Sequence, residues 1–252
     1  NRSFGGNLAI FIFLGLGGIF MGLPLVYTAV SAFKPIEELF YFPPRFFVIN
    51  ATLDNFVMMY ELASSLWVPF SRYVFNSLVV TVVGTGGYVI IASLAAYPIA
   101  KHNFYGKRLL RKLIVLALLF TPEVTNIPRY IVLAKLGMIN TLYSVILPVF
   151  AGTMGVFLME RFMSQFPDVI LEAAKIDGTS EYGIFWRIVM PNQKPAWLTL
   201  TIFTFTTTWN DTGGIYLFDE NIKLLPTILR QMSTGGISRA GVASAVGLIL
   251  MI

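Results

Sequence analysis

The chain has 252 residues, 56% of them hydrophobic and only 12% charged, with a formal net charge of +5 and a mean hydropathy of +0.73. A soluble domain averages about 25% charged residues, so these figures exclude an ordinary water-soluble globule and describe a membrane protein. The absence of cysteine excludes a disulfide framework and a thiolate metal centre.

The apolar runs are continuous rather than alternating, which indicates helical spans and not a barrel. Each needs about 20 apolar residues to cross about 30 Å of hydrocarbon. The first is expected over Leu8 to Val30, longer than the roughly 7–15-residue apolar region of a signal peptide. Ser31 to Arg72, with its "PP" and scattered aromatics, reads as an extramembrane segment with short elements. The second span covers Tyr73 to Ala100. Its "GTGG" at Gly84 to Gly87 lacks the final spaced glycine of a nucleotide fingerprint and reads as close helix packing, as do Gly18 and Gly22 in the first span.

The basic stretch "KHNFYGKRLLRK" follows, holding the sole histidine, His102, read as a solvated or headgroup-facing side chain. No G-x-x-x-x-G-K-[ST] occurs, so the chain has no phosphate loop of that kind and ATP-driven work would need a partner. The third span starts near Leu109 and is broken by Pro122 and Pro128. The fourth is expected over Leu142 to Met163, the fifth over Pro195 to Leu217, and the sixth from Ala240. From Ala240 to Ile252 a helix would rise only about 20 Å, so the sixth span is expected to be truncated. The fold class is therefore all-α, a polytopic transmembrane bundle of six spans forming one domain over 1–252.

Lys and Arg are retained on the cytoplasmic side. The dense "KRLLRK" between the second and third spans puts that loop inside, and with it the N-terminus and the segment 164–194. Segment 213–239 is then an extracellular loop. The same topology accounts for the net positive charge without nucleic acid.

Within 164–194, "LEAAKIDGTSEYGIFWRIVMPNQKP" is a polar island in apolar surroundings. Pro167 and Asp168 make a helix start. Gly178 can close that helix in the left-handed conformation, and Thr179 or Ser180 can cap a second helix stopped by Pro191. In the first helix Val169, Ala173 and Ile176 form a stripe, with Ala173 and Ala174 low enough for another backbone to approach and Glu172, Lys175 and Asp177 around them. The second carries Tyr182, Phe185, Trp186 and Val189 as a face that packs on the bundle. A membrane-surface pair is usually rich in Lys and Arg, whereas Leu171 to Glu181 holds one lysine and three carboxylates; a protein partner fits better.

The island resembles the EAA motif of the permease subunits of bacterial ABC importers, most closely the carbohydrate importers of the maltose type. The resemblance extends to "SAFKP" (31–35), "NSLVVT" (76–81), "LAAYPIAKHNFYGKRLL" (94–110), "KLGMINTLYSVILP" (135–148) and "IFTFTTTWND" (202–211). Thr179 and Met190 are mild departures, standing where alanine and leucine are common. The resemblance implies a non-enzymatic subunit of a bacterial cytoplasmic-membrane importer. It implies as partners a second permease, two ATPases that bind ATP and magnesium, and an extracellular solute-binding protein. It makes the first short helix a coupling helix, with Glu172, Ala173, Ala174, Asp177 and Gly178 docking into an ATPase. It makes "FDENIKLLPTILRQMSTGGIS" a receptor-contact surface. No cofactor or metal is implied for this chain itself.

For the translocation pathway the residues leave alternatives open. Glu123 and Asn126 in the broken third span either line a water-filled cavity or sit at the outer interface. Thr208, Trp209, Asn210 and Asp211 at the end of the fifth span could contact a sugar, or Trp209 could be an interfacial anchor. The threonines of that span are expected to bond backbone or neighbouring helices and not substrate. An importer of a non-sugar solute, and an ion-coupled transporter using Glu123 or Asp211, are the competing readings.

Overall fold

The computed structural model describes residues 4–65, 67–234 and 239–251, and every regular element among them is helical. Backbone polar groups in lipid must be satisfied within the segment, which a helix does. Two compact units emerge, Ser71–Leu225 and a second made of the residues before Ser71 with those from Pro226 onward.

In the terminal unit, α1 (Phe4–Ala32) packs against α14 (Ala240–Met251), which also touches α2 (Ile36–Leu39) and α3 (Asp54–Ser64). Asn55 Nδ2 donates to Ala32 O at 3.0 Å and to Lys34 O at 2.7 Å, closing the turn after α1. The aromatic side chains of α1, among them Phe11, Phe13 and Phe20, are exposed. Gly18 and Gly22 face open space, so nothing among the described residues packs on them.

The central unit is built on α4 (Phe70–Lys101), a 32-residue helix about 48 Å long. It is followed by α5 (Lys107–Ala117), α6 (Pro122–Lys135), α7 (Tyr143–Phe150) and α8 (Thr153–Ser164). Next come α9 (Asp168–Ile176), α10 (Glu181–Gly183), a π-turn (Ile184–Val189), α11 (Met190–Asn192) and α12 (Lys194–Trp209). A 3-10 turn (Glu220–Ile222) precedes α13 (Leu225–Ser233), which runs on from the central unit. Among the described residues, three stretches are long and apolar enough to cross a membrane: Ile10–Ala32, Phe70–Lys101 and Tyr143–Ser164.

These match the first, second and fourth expected spans, and α14 starts at Ala240 as expected of a short sixth; the third and fifth differ. The third is two short helices, α5 and α6, parted at residues 118–121. The break falls before Pro122, which opens α6, while Pro128 lies inside α6. The fifth helix ends at Trp209 and not at Leu217. Gly213 and Gly214 have φ of +68° and +44°, a region that ends a right-handed helix. Pro191 does not stop the chain either: it sits in α11, and only Gln193 separates α11 from α12.

Glycines let α4 approach the α7–α8 pair, as the "GTGG" reading expects. A Cβ on Gly87 would lie 2.4 Å from the Phe150 ring, and one on Gly155 2.6 Å from the Tyr88 ring. Tyr88 fills that space, its hydroxyl accepting from Gly155 N–H at 2.6 Å. One buried cluster then ties α4 (Ala92, Ala96, Tyr97), α8 (Met159, Met163), the π-turn (Ile184, Phe185, Val189) and α12 (Ala196, Leu200) to Leu171 and Ala174 of α9. The polar island is thus fastened to the membrane helices.

Candidate functional site

The island folds as expected at its bend. Gly178 has φ +78°, its N–H donates to Lys175 O at 3.0 Å, and Thr179 N–H donates to Ala174 O at 3.0 Å. This paired closure satisfies two of the carbonyls left free at a helix end. Ser180, not Thr179, caps the next turn, its hydroxyl accepting from Gly183 N–H at 3.3 Å.

The two faces of α9 are sorted by the 100° step of a helix. Leu171 and Ala174 point into the core, while Val169, Glu172, Ala173, Ile176, Asp177 and Gly178 are exposed. Ala174 is therefore a core residue and is not on the offered surface with Ala173, because positions 171 and 174 share the inner stripe. In the second element Phe185 and Val189 are buried as expected, joined by Ile184, but Tyr182 and Trp186 are exposed. The π-turn shifts the register of the buried stripe away from ordinary helical spacing.

Both ends of α9 are tied to the last turn of α4, which the sequence did not reveal. At its start, the nearly buried Lys101 donates to Asp168 Oδ1 at 2.7 Å and to Phe166 O. At its end, Glu181 takes Lys175 at 2.6 Å and the Tyr97 hydroxyl at 3.1 Å. Lys175 holds the Glu181 carboxyl below the usual carboxylate range, assisted by Tyr97 and the nearby His102, against a smaller opposing effect of burial. His102 lies 3.5 Å from Glu181, its ring edge against Tyr97; it belongs to this knot and is not simply solvated. Separately, Arg111 of α5 reaches the buried Glu160 of α8 at 2.6 Å. Glu172 and Asp177 have no ion-pair partner among the described residues.

A cleft of about 540 Å³ opens between α4, α6, α7 and α12. Thr208 and Asp211 line it, with Tyr88, Arg129, Phe203 and Tyr216. Trp209 instead stacks on Phe205, centroids 6.0 Å apart, and Asn210 Nδ2 donates to Thr206 O at 2.8 Å. Asn126 borders a separate cavity of about 400 Å³ beside Tyr130 and Phe218. Glu123 falls in α6, and its side chain lies outside the described residues. The pathway residues named from sequence are thus only partly brought together, and Arg129 and Tyr88 were missed. The available signal for Arg129 was a cation seven residues past Pro122, in the second half of the interrupted span. The α12 threonines bond their own backbone as expected, Thr201 to Trp197 O and Thr208 to Thr204 O, both at 2.7 Å.

The segment after α12 is pinned and is not a free loop. Asn140 Oδ1 accepts from Phe218 and Asp219 N–H, both at 2.9 Å, and Asn76 Nδ2 donates to Asn221 O at 2.9 Å and Lys223 O at 3.1 Å. Much of the expected receptor surface is buried, including Leu224, Leu225, Ile228, Leu229 and Met232. That leaves Phe218, Asp219, Asn221, Arg230, Gln231 and Thr234 exposed; residues 235–238 of the same stretch lie outside the described residues.

Residues 89–252 match the family model described as "Binding-protein-dependent transport system inner membrane component". The chain belongs to this family. It is an inner-membrane, multi-pass permease subunit of an ABC importer, a transport component and not a catalyst, and such a system works with ATPase and solute-binding partners. It is 33% identical over 229 residues to Protein LplC of Bacillus subtilis, covering 88% of this chain and 74% of that protein. It is 29% identical over 234 residues to the polygalacturonan/rhamnogalacturonan transport system permease protein YtcP of the same species, covering 92% and 79%. Its fold matches a bacterial ABC transporter involved in importing the acidic polysaccharide alginate, with TM-score 0.80, 18% identity, and coverage of 100% of this chain and 95% of that one.

Proposed function

We propose that this permease carries a sugar or oligosaccharide inward and is driven through Glu172, Ala173, Asp177 and Gly178, the face that an ATPase grips. One observation carries the coupling assignment. The inner face of α9 is locked to α4 and the core, while its outer face keeps Glu172 and Asp177 without an ion-pair partner among the described residues. A rigid element with an unsatisfied acidic face transmits a push from a basic groove. It does so only if the docked contacts differ in energy between inward- and outward-facing states. The saccharide class is supported by YtcP, whose name gives a polygalacturonan/rhamnogalacturonan cargo, and by the cleft's aromatic rings and hydroxyls.

The working assembly is a heterodimer with a second permease, two ATPases that hold ATP and magnesium, and an extracellular solute-binding protein. The chain crosses the membrane six times as a single permease domain, with the N-terminus and the α9 hairpin cytoplasmic and the segment after α12 outside. Thr208 and Asp211 lie on the cargo's route. Reconstitution of the complete importer tests this. ATP-dependent oligosaccharide uptake is expected, and Glu172→Lys is expected to abolish uptake by weakening ATPase co-purification. Uptake by the isolated chain on an ion gradient, or full uptake by Glu172→Lys, would reject the assignment.

A further inference from the structure

We propose that the cleft of this permease selects saccharides bearing a carboxylate, through the guanidinium of Arg129; the inference rests on the sugar-importer reading above. Arg129 belongs to α6, the second half of the interrupted third span, and opens onto the 540 Å³ cleft and a neighbouring cavity of about 660 Å³. The cleft reaches Tyr88, near the middle of α4. A cation within a spanning segment costs up to about 2.5–3.5 kcal/mol on insertion scales and is retained where it meets water or a partner. Arg129 is exposed, and no carboxylate among the described residues pairs with it.

The rest of the wall explains what Arg129 adds. Thr207 and Thr208 already donate their hydroxyl protons to Phe203 O at 3.0 Å and Thr204 O at 2.7 Å. Their oxygens are left as acceptors, suited to sugar O–H groups. Tyr88, Phe203 and Tyr216 supply ring surface. A carboxylate needs donors, and Arg129 is the one cation among the residues lining the cleft. Its planar fork matches a carboxylate with two parallel hydrogen bonds. Asp211 lies on the same wall, with Oδ1 accepting from Gly213 N–H at 2.9 Å. A single guanidinium beside a carboxylate favours a monoanionic sugar unit over a phosphate dianion.

The experiment uses the complete importer with its binding protein in proteoliposomes, loaded in turn with digalacturonate, its dimethyl ester and a hexose phosphate. Arg129→Gln is expected to lower digalacturonate uptake about ten- to hundredfold, the range of a charge-assisted bond. Ester uptake and ATPase co-purification should not change, and Arg129→Lys should retain part of the acid uptake. Equal losses on acid and ester, or no loss on the acid, overturns the proposal, as does preferred uptake of the phosphate. If the wild type moves neutral saccharides only, the sugar reading stands and this inference alone fails. If it moves no saccharide at all, the sugar reading fails first.

Discussion

The α9 hairpin and the membrane cleft use polar side chains in opposite ways. In the hairpin, the groups facing the protein are closed on one another: Lys101 with Asp168, Glu181 with Lys175 and Tyr97. The outward carboxylates Glu172 and Asp177 have no ion-pair partner among the described residues. In the cleft, the threonines are closed on their own helix, and the cation lining the opening has no ion-pair partner among the described residues. Polar groups that hold the fold together find partners within the chain, because leaving one buried and unmade costs about 1–3 kcal/mol. Those left open mark where something outside the chain must fit.

Breaking the hairpin at its bend should have the largest effect. Gly178→Pro cannot adopt φ +78° and removes the N–H that Lys175 O accepts. ATP-driven uptake should fall to background while the protein still reaches the membrane, read by transport assay against immunoblot. Crowding Tyr88 from behind the cleft comes next. Gly155→Ala puts a methyl 2.6 Å from the Tyr88 ring and 3.0 Å from Ala92 Cβ, an overpacking worth about 1–3 kcal/mol. A lower melting temperature in detergent is expected, with weaker transport but unchanged ATPase binding.

Untying one end of α9 is subtler. Lys101→Met leaves Phe166 O without this donor and Asp168 without its ion pair. Faster amide exchange across residues 166–176 is expected, together with ATP hydrolysis that no longer drives proportionate uptake. The smallest effect is the response of the Glu181 knot to acid. Its folded-state pKa is depressed, so the tie is complete above the ordinary glutamate value of about 4.3 and is lost as pH falls through the lower folded value. Glu181 is nearly half exposed, so solvent screens the contribution. Proteolysis near residues 177–183 should accelerate only in that acidic window, and Glu181→Gln should remove the pH dependence.

Local rules were readable where one residue decides the backbone. Gly178 in the left-handed region, the helix start at Asp168 and the glycine packing of α4 followed from residue type alone. The helix ends that depend on longer context did not follow. Pro191 was expected to stop a helix, yet it opens a short turn that leads almost without a break into α12. Adjacency groups Trp209 and Asn210 with Thr208 and Asp211, but Thr208 and Trp209 differ by about 100° in direction on the helix, the chain leaves α12 after Trp209, and of the four only Thr208 and Asp211 meet the cleft. Ala173 and Ala174 separate for the same reason.

By itself the sequence determined the class of molecule, the long helices and the acidic, glycine-bent island, because hydropathy, helix period and special backbone conformations are properties of short stretches. Only the tertiary structure decided which face of α9 is free, that Lys101 and Tyr97 fasten its two ends, and that Arg129 opens onto the same space as Tyr88 and Thr208. Those facts join residues far apart in the chain, and no local pattern records which distant side chain fills the space beside them.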